Sequence, residues 1–415
     1  MNRGIYLKIG KREGGDVVLG LKLYADFNPR SNYTLSEDEI KTHKVREGNN
    51  VWKNPKLRLE ELPKPEIRCE DEVLIKVKAS GICGSDLHMV ETDGDGYILY
   101  PGLTRFPVIL GHEFAGIVEE VGSSVKNVKP GDLVTSEEML WCGICTVCRS
   151  GDFDHCLKLN DPAEINYGEL GFTIDGSHAE YVKVKEKYVW SINAIRSALR
   201  SDESALELGS LVEPTSVSYR AIFIRGGGFK PGAYVTVWGA GPIGLAAIAL
   251  AKSAGATKVI ALEISSVRKN LAKLVGADHV LDPVELEKKN VEPYEKILEL
   301  TSGEGVDVHV EAAGAPHELL PQMLRSLSIG GKIIQIGRAP LPVEVYLENL
   351  QVKKAQIIGS QGHSSGTFGN VIRLMASGKI NVLRRIITSR YRLSQGLDAF
   401  ERGSKRIDGK ILIKP

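Results

Sequence analysis

Val17-Val-Leu-Gly-Leu-Lys-Leu-Tyr24 reads as a first strand, and apolar and polar residues alternate through Leu57-Arg-Leu-Glu-Glu-Leu62 and Glu72-Val-Leu-Ile-Lys-Val-Lys-Ala79. A period of two sends successive side chains to opposite faces, so each alternating stretch predicts a half-buried strand. Pro63 and Pro65 stop the first of these. Gly116–Gly122 and the residues after Lys129-Pro-Gly-Asp132 predict further short strands between Gly/Pro turns, and so a β-rich first part. From about residue 206 the texture changes. Leu211–Ile222 reads as a helix, Ala233–Trp238 as a buried strand, and Leu245–Ala254 as an apolar helix. Short apolar runs at 258–262, 279–281, 306–310, 332–336 and 356–358 then alternate with helical stretches, the pattern of a doubly wound parallel sheet. From about 362 the alternation returns and ends in Ile411-Leu-Ile413, which predicts a segment rejoining the first domain. Residues 1–16 look like a frayed extension, and residues 26–55 show no period.

The length of 415 residues exceeds what one core supports. The pattern divides it into a β-rich catalytic domain at 1–208, with a small lobe at 142–156, a cofactor domain at 209–361 and a returning segment at 362–415. Hydrophobic content of 42% and charged content of 25% are those of a globular protein in water. A net charge of +1 without a long basic run argues against nucleic acid as a partner. No stretch approaches the roughly 20 apolar residues that span a bilayer, and Met1–Asp26 lacks the apolar core of a signal peptide. A cytoplasmic location is expected, where thiols stay reduced.

Six cysteines then point to metal. Gly81-Ile-Cys-Gly-Ser-Asp-Leu-His88 and Gly111-His-Glu113 bring a thiolate, an imidazole and a carboxylate, a donor mixture that Zn²⁺ accepts at a catalytic site with one open position. Cys83 and His112 are the expected ligands, Glu113 a third or exchanging one, and Glu213 a fourth, direct or through water. Ser85 and His88 lie just beyond Cys83, and Asp86 is placed to orient His112. Cys142, Cys145, Cys148 and Cys156 can close a tetrahedron around a second, structural Zn²⁺; disulfides or an iron–sulfur cluster are the competing readings. Cys69 is expected to be a buried spectator, and Asp93–Gly96 a surface turn. Gly239-Ala-Gly-Pro-Ile-Gly244 follows a strand and opens a helix, the context a dinucleotide-binding turn requires. Gly239 permits the turn, Gly241 the approach of pyrophosphate, Gly244 close helix packing, and Ile243 sits at the helix N-terminus. Glu263 ends the next strand, where a carboxylate suits the ribose of NAD and repels a 2′-phosphate; Arg268 faces either the adenosine end or solvent.

Together these motifs resemble the zinc-containing medium-chain dehydrogenase/reductase family, from about residue 17 to the end. The resemblance implies a GroES-like β-rich catalytic domain with a Rossmann cofactor domain, and hydride transfer from a hydroxyl carbon to NAD. Val212-Glu-Pro214 is similar to the polyol and threonine dehydrogenases of the family. Tyr97–Thr104, Glu137–Cys142, Ser210–Val217, Arg225–Gly228 and Gly359–Ser364 look like the dehydrogenases of inositol catabolism, which implies scyllo-inosose as substrate. L-threonine, sorbitol and butanediol are the alternatives, and a non-catalytic NAD(H)- and zinc-binding protein is the alternative of another class. Ser85 would then take the substrate proton and pass it, through the cofactor ribose, to His88. Tyr97–Phe106 could form a pocket wall, and Gln361, His363, Ser364 and Ser365 could bind polyol hydroxyls. The family resemblance further implies a dimer or tetramer.

Overall fold

The structure, a computed structural model, describes residues 16–339, 341–363 and 366–415. The first half supplies β1 (Val17–Phe27), β2 (Trp52–Pro63), β3 (Glu72–Gly81), β4 (Val108–Ile109), β5 (Glu113–Val121), β6 (Leu133–Ser136), β7 (Met139–Leu140), β8 (Gly168–Glu169), β9 (Tyr181–Lys185) and β10 (Val189–Ser191). The second half supplies β11 (Tyr234–Trp238), β12 (Lys258–Leu262), β13 (His279–Leu281), β14 (Val306–Glu311), β15 (Leu327–Gln335) and β16 (Gln356–Gly359). The chain closes with β17 (Ile387–Arg392) and β18 (Lys410–Lys414).

β3 is the hub of the first half. It pairs antiparallel with β5 along most of its length and with β9 near its start, and its end at Ser80 and Gly81 pairs with Ile413 and Leu412 of β18. The returning segment thus joins the first sheet, as the closing alternation predicts. β3 is more buried than a half-buried strand: Val73, Leu74, Ile75, Val77 and Ala79 are all essentially without solvent contact, because both faces are covered.

Within the described residues the second half forms a sheet in the order β13-β12-β11-β14-β15-β16, every pairing parallel. The connections run outward from β11 in both directions, so a crevice opens beyond the carboxyl ends of β11 and β14. The helix after β11 starts at Pro242, earlier than the apolar run suggests, because proline suits the first helical position. The helix at Val212–Tyr219 continues into a wider turn at Arg220–Arg225, where the Gly226 amide donates to the Ala221 carbonyl. Ala79, Ala115 and Leu133 of the first half share one core with Leu208, Val212, Val235, Leu245, Phe368 and Leu412.

Residues 26–55 contain ordered elements that no period reveals. A helix at Glu37–Thr42 is capped reciprocally by Ser36 and Glu39, and Lys44 beyond it is wholly buried.

Candidate active site

β3 delivers the chain to Cys83, which caps a short helix at Gly84–Val90. The pairing of Gly81 with Glu113 brings the start of β5 alongside. As a result the donor atoms of Cys83, His112 and Glu113 lie within 4.8 Å of one another. Asp86, fully buried one turn into the helix, organises this corner. It accepts from the Cys83 amide at 2.9 Å and the Gly111 amide at 3.3 Å. Its two oxygens face His112 Nδ1 at 3.5 Å and His178 Nε2 at 3.6 Å. Burial alone would raise the Asp86 carboxyl, but the two imidazoles outweigh it and hold it far below the usual carboxylate range. With Nδ1 turned to Asp86, His112 presents Nε2 to the cleft, as a metal-bound imidazole requires.

His178 is a residue the sequence did not single out. Its Nδ1 lies 2.8 Å from Ser80 Oγ, and a side chain at Gly111 (φ +95°) would stand 2.6 Å from that nitrogen. Lys410 was also missed. Its buried ammonium touches the Glu113 carboxylate and donates to the Ile82 carbonyl at 3.0 Å. A carboxylate shared with an ammonium is a weaker ligand than the thiolate or imidazole, which fits an exchanging role for Glu113.

Glu213 sits in the first turn of its helix, 6% exposed. Its carboxyl is pushed well above the ordinary value by burial, then by the negative Glu138, Glu113 and Cys83, with His112 opposing. It falls outside the tight trio of donors. So much buried negative charge around one imidazole is the environment a divalent cation relieves, and the sulfur–nitrogen–oxygen donor set suits zinc. Ser85 Oγ lies 3.4 Å from His112 Nε2, on the cleft side. His88, one turn on, is half-buried; burial and then Arg406 lower its basicity.

The four-cysteine lobe is gathered as expected: its sulfurs lie within 4.8 Å of one another, and all are free thiols, which removes the disulfide reading. Backbone amides point at them, from Ile144 and Cys145 to Cys142 Sγ and from Cys148 to Cys145 Sγ, all at 3.4 Å. Burial opposes ionisation of Cys145, yet the amides of Cys148 and Leu157 bring its thiol down to about 6. Burial raises the Cys148 thiol instead, and four sulfurs gathered this closely, with Cys142 and Cys145 facing amides, fit a structural zinc that would hold them as thiolates. Cys69 differs from expectation: it is exposed, in the turn before β3, so it is no core residue.

At the nucleotide turn Gly239 has φ +88°, and an added Cβ there would meet Ala313 backbone at 2.9 Å. A Cβ on Gly244 would stand 1.9 Å from the Gly239 carbonyl oxygen, so the helix can lie this close only without one. Gly241 caps the helix whose second residue is Ile243, and an added Cβ there meets only Arg268, at 4.0 Å. That open approach to a twelve-residue helix N-terminus fits a pyrophosphate. Glu263 is nearly buried; it accepts from the Ala240 amide at 2.8 Å and, through its other oxygen, from Ile264 and Ser265 at 2.8 Å. Arg268 lies across the Gly241 turn and donates to the Asp408 carbonyl at 3.0 Å, so it is not the solvent arginine that was one of its two expected placements.

Residues 69–194 match the alcohol dehydrogenase GroES-like domain, and residues 242–377 match the zinc-binding dehydrogenase domain. The chain is 48% identical to scyllo-inosose 3-dehydrogenase of Thermotoga maritima over 369 residues, covering 86% of this chain and 90% of that one. It is 36% identical to L-threonine 3-dehydrogenase of Pyrococcus furiosus, covering 82% and 88%. The solved structure of a Thermotoga maritima protein described as an alcohol dehydrogenase superposes with a TM-score of 0.89 at 42% identity, covering 96% of this chain and all of the other. The chain belongs to the zinc-containing medium-chain dehydrogenase/reductase family. It is an NAD-dependent zinc dehydrogenase of alcohols or polyols.

In this dehydrogenase the Phe172 ring lies 4.9 Å from His112 and 4.8 Å from Tyr100. Tyr97, expected as wall, is instead buried beneath Arg30, whose guanidinium lies 3.9 Å from the ring centre. His363 is buried and paired with Glu138 at 2.5 Å. Glu169, also missed, has a carboxyl pushed up to about 7 by burial and by Glu138. The Gln361 carbonyl accepts from Arg220 at 2.6 Å, and the residue is exposed. Ser364 and Ser365 lie outside the described residues.

Proposed function

We propose that this dehydrogenase oxidises a secondary hydroxyl of a cyclic polyol or keto-polyol, with scyllo-inosose as its substrate. The observation that carries this reading is the 48% identity to scyllo-inosose 3-dehydrogenase over nearly the whole chain, against 36% for the threonine enzyme. Cys83 and His112, with Glu113 or Glu213 or both, would hold the catalytic zinc; Cys142, Cys145, Cys148 and Cys156 would hold the structural one. When bound, zinc supplies Lewis acidity to the substrate oxygen and NAD accepts the hydride.

The chain's own residues do the rest. Asp86, 3.5 Å from His112 Nδ1, favours the tautomer with its proton on that nitrogen. Ser85, at the cleft side of His112, takes the hydroxyl proton. His88 lies on the same helix; with its basicity lowered it is neutral near pH 7, and it leads that proton to solvent. Phe172 and Tyr100 exclude water. Glu263, with its carboxylate oriented by three amides, binds the ribose hydroxyls, and the amides at Ile243 and Gly244 bind pyrophosphate. The cytoplasm as location and a dimer or tetramer as assembly belong to the same reading.

The test is NADH formation by the purified protein with scyllo-inosose, L-threonine, sorbitol and butanediol side by side. The inosose should lead in kcat/KM by at least about tenfold, roughly 1.4 kcal/mol of transition-state discrimination. A lead by threonine or sorbitol would move the substrate to that alternative. No NADH with any of them would return the non-catalytic reading.

A further inference from the structure

Lys44 belongs to the segment for which the sequence offers no role, yet its side chain has 0% exposure. Its ammonium nitrogen lies within hydrogen-bond distance of four main-chain carbonyls: Leu159 at 2.7 Å, Asp161 at 2.9 Å, Glu164 at 3.0 Å and Tyr167 at 2.9 Å. A lysine ammonium has only three N–H bonds. Four oxygens at nearly equal distances therefore surround a charge rather than answer three directional donors. Rings of backbone carbonyls are how proteins replace the hydration shell of a potassium-sized ion. Burial draws the ammonium down to about 8, which leaves it charged at neutral pH.

The position of this ring matters. It begins three residues after Cys156, and the Asn160 side chain donates to the Cys156 carbonyl at 3.1 Å. It ends at Tyr167, where the chain enters β8 and then reaches Phe172 against His112. Thr42 adds a second contact, its hydroxyl shared between the Asp38 carbonyl at 2.8 Å and the Pro162 carbonyl at 2.9 Å.

We propose that residues 159–167 form a monovalent-cation site whose cation is built into the chain as the Lys44 ammonium, and that this charge holds the loop between the four-cysteine lobe and the catalytic centre in register. Removing the charge leaves a site for a free ion of the same class, potassium or ammonium.

The experiment compares Lys44→Ala, which removes ammonium and stem, with Lys44→Met, which keeps an apolar stem. The readouts are the rate of proteolytic cleavage within residues 157–167 and the zinc retained per chain, neither of which depends on the substrate. In lithium or tetramethylammonium chloride both variants should be cleaved roughly tenfold faster than the unaltered protein. At the same ionic strength, about 0.2 M potassium or ammonium chloride should restore Lys44→Ala to within about twofold, as a ligand of the folded loop does. Lys44→Met should not be restored, because its side chain fills the ring. A Lys44→Met protein as resistant as the unaltered one would overturn the proposal, since volume alone would then suffice. So would a Lys44→Ala protein equally labile in all four salts. Should Lys44→Ala emerge unfolded, its refolding yield from denaturant is measured in the same salts: a yield raised by potassium or ammonium alone supports the site, and equal yields overturn it.

Discussion

Asp86 shows how much one side chain can settle. Two amides, from Cys83 and Gly111, and two imidazoles, His112 and His178, converge on its carboxylate. The thiolate and imidazole of the metal corner are thereby oriented through a single buried charge. The clustering of Cys83, His112 and Glu113 was legible in the sequence because donor side chains are concentrated in two short motifs. Their supporters were not: His178 follows Asp86 by 92 positions and Lys410 follows Glu113 by 297, taken from the residue numbers. Neither stands in a motif, and a lone His or Lys has no distinguishing neighbourhood until the chain folds. At this scale the proton path is testable. Ser85→Ala should lower kcat by on the order of a hundredfold, the contribution of a positioned acid–base group, while zinc content and KM for NAD stay unchanged. Unaltered turnover would remove Ser85 from the path.

Among elements, strands were easier to anticipate than the polar ties between them. The parallel strands appeared as apolar runs, most plainly β11, β12 and β14, where burial on both faces removes polar positions. The segment 26–55 stayed opaque because its order rests on the Ser36–Glu39 cap and the buried Lys44 rather than on a period. One tie carries a pH signature. Glu207, buried on the helix Asp202–Gly209, accepts from Arg390 at 2.6 Å and from Arg384 at 3.0 Å, joining that helix to the chain leading into and along β17. Burial would raise its carboxyl, but Arg390 foremost, then Arg384 and Lys414, bring it down to about 2. A carboxyl lowered in the folded state contributes stability above its unfolded value near 4.5 and loses it as pH falls toward 2. Glu207→Gln should cost roughly 2 kcal/mol in urea unfolding at pH 7, discounted because the arginines are partly exposed. The gap to the unaltered protein should narrow steadily below about pH 4.5. A gap constant from pH 7 to pH 3 would show that packing, not charge, holds this joint.

At the scale of the molecule, one core runs through both halves, and β18 returns to β3, so neither half is built without the other. That continuity sets the Cys83 corner, reached from the first sheet, near Glu213, carried on a helix that packs into the shared core. The two-part plan and the order of motifs were readable from the pattern of the chain. The carboxylates Glu138 and Glu169, which meet His112 and His363 electrostatically, were not, because they emerge only where strands from different parts of the chain come together. The central claim is that Cys83, His112 and their carboxylate neighbours hold a catalytic zinc apart from the one held by the four cysteines. The most direct measurement is zinc per chain in Cys83→Ala beside the unaltered protein, with turnover recorded on the same samples. Cys83→Ala should lose one of two zinc ions, keep the one in the four-cysteine lobe, stay folded, and have no measurable turnover. Full zinc content with activity retained in Cys83→Ala would contradict the claim.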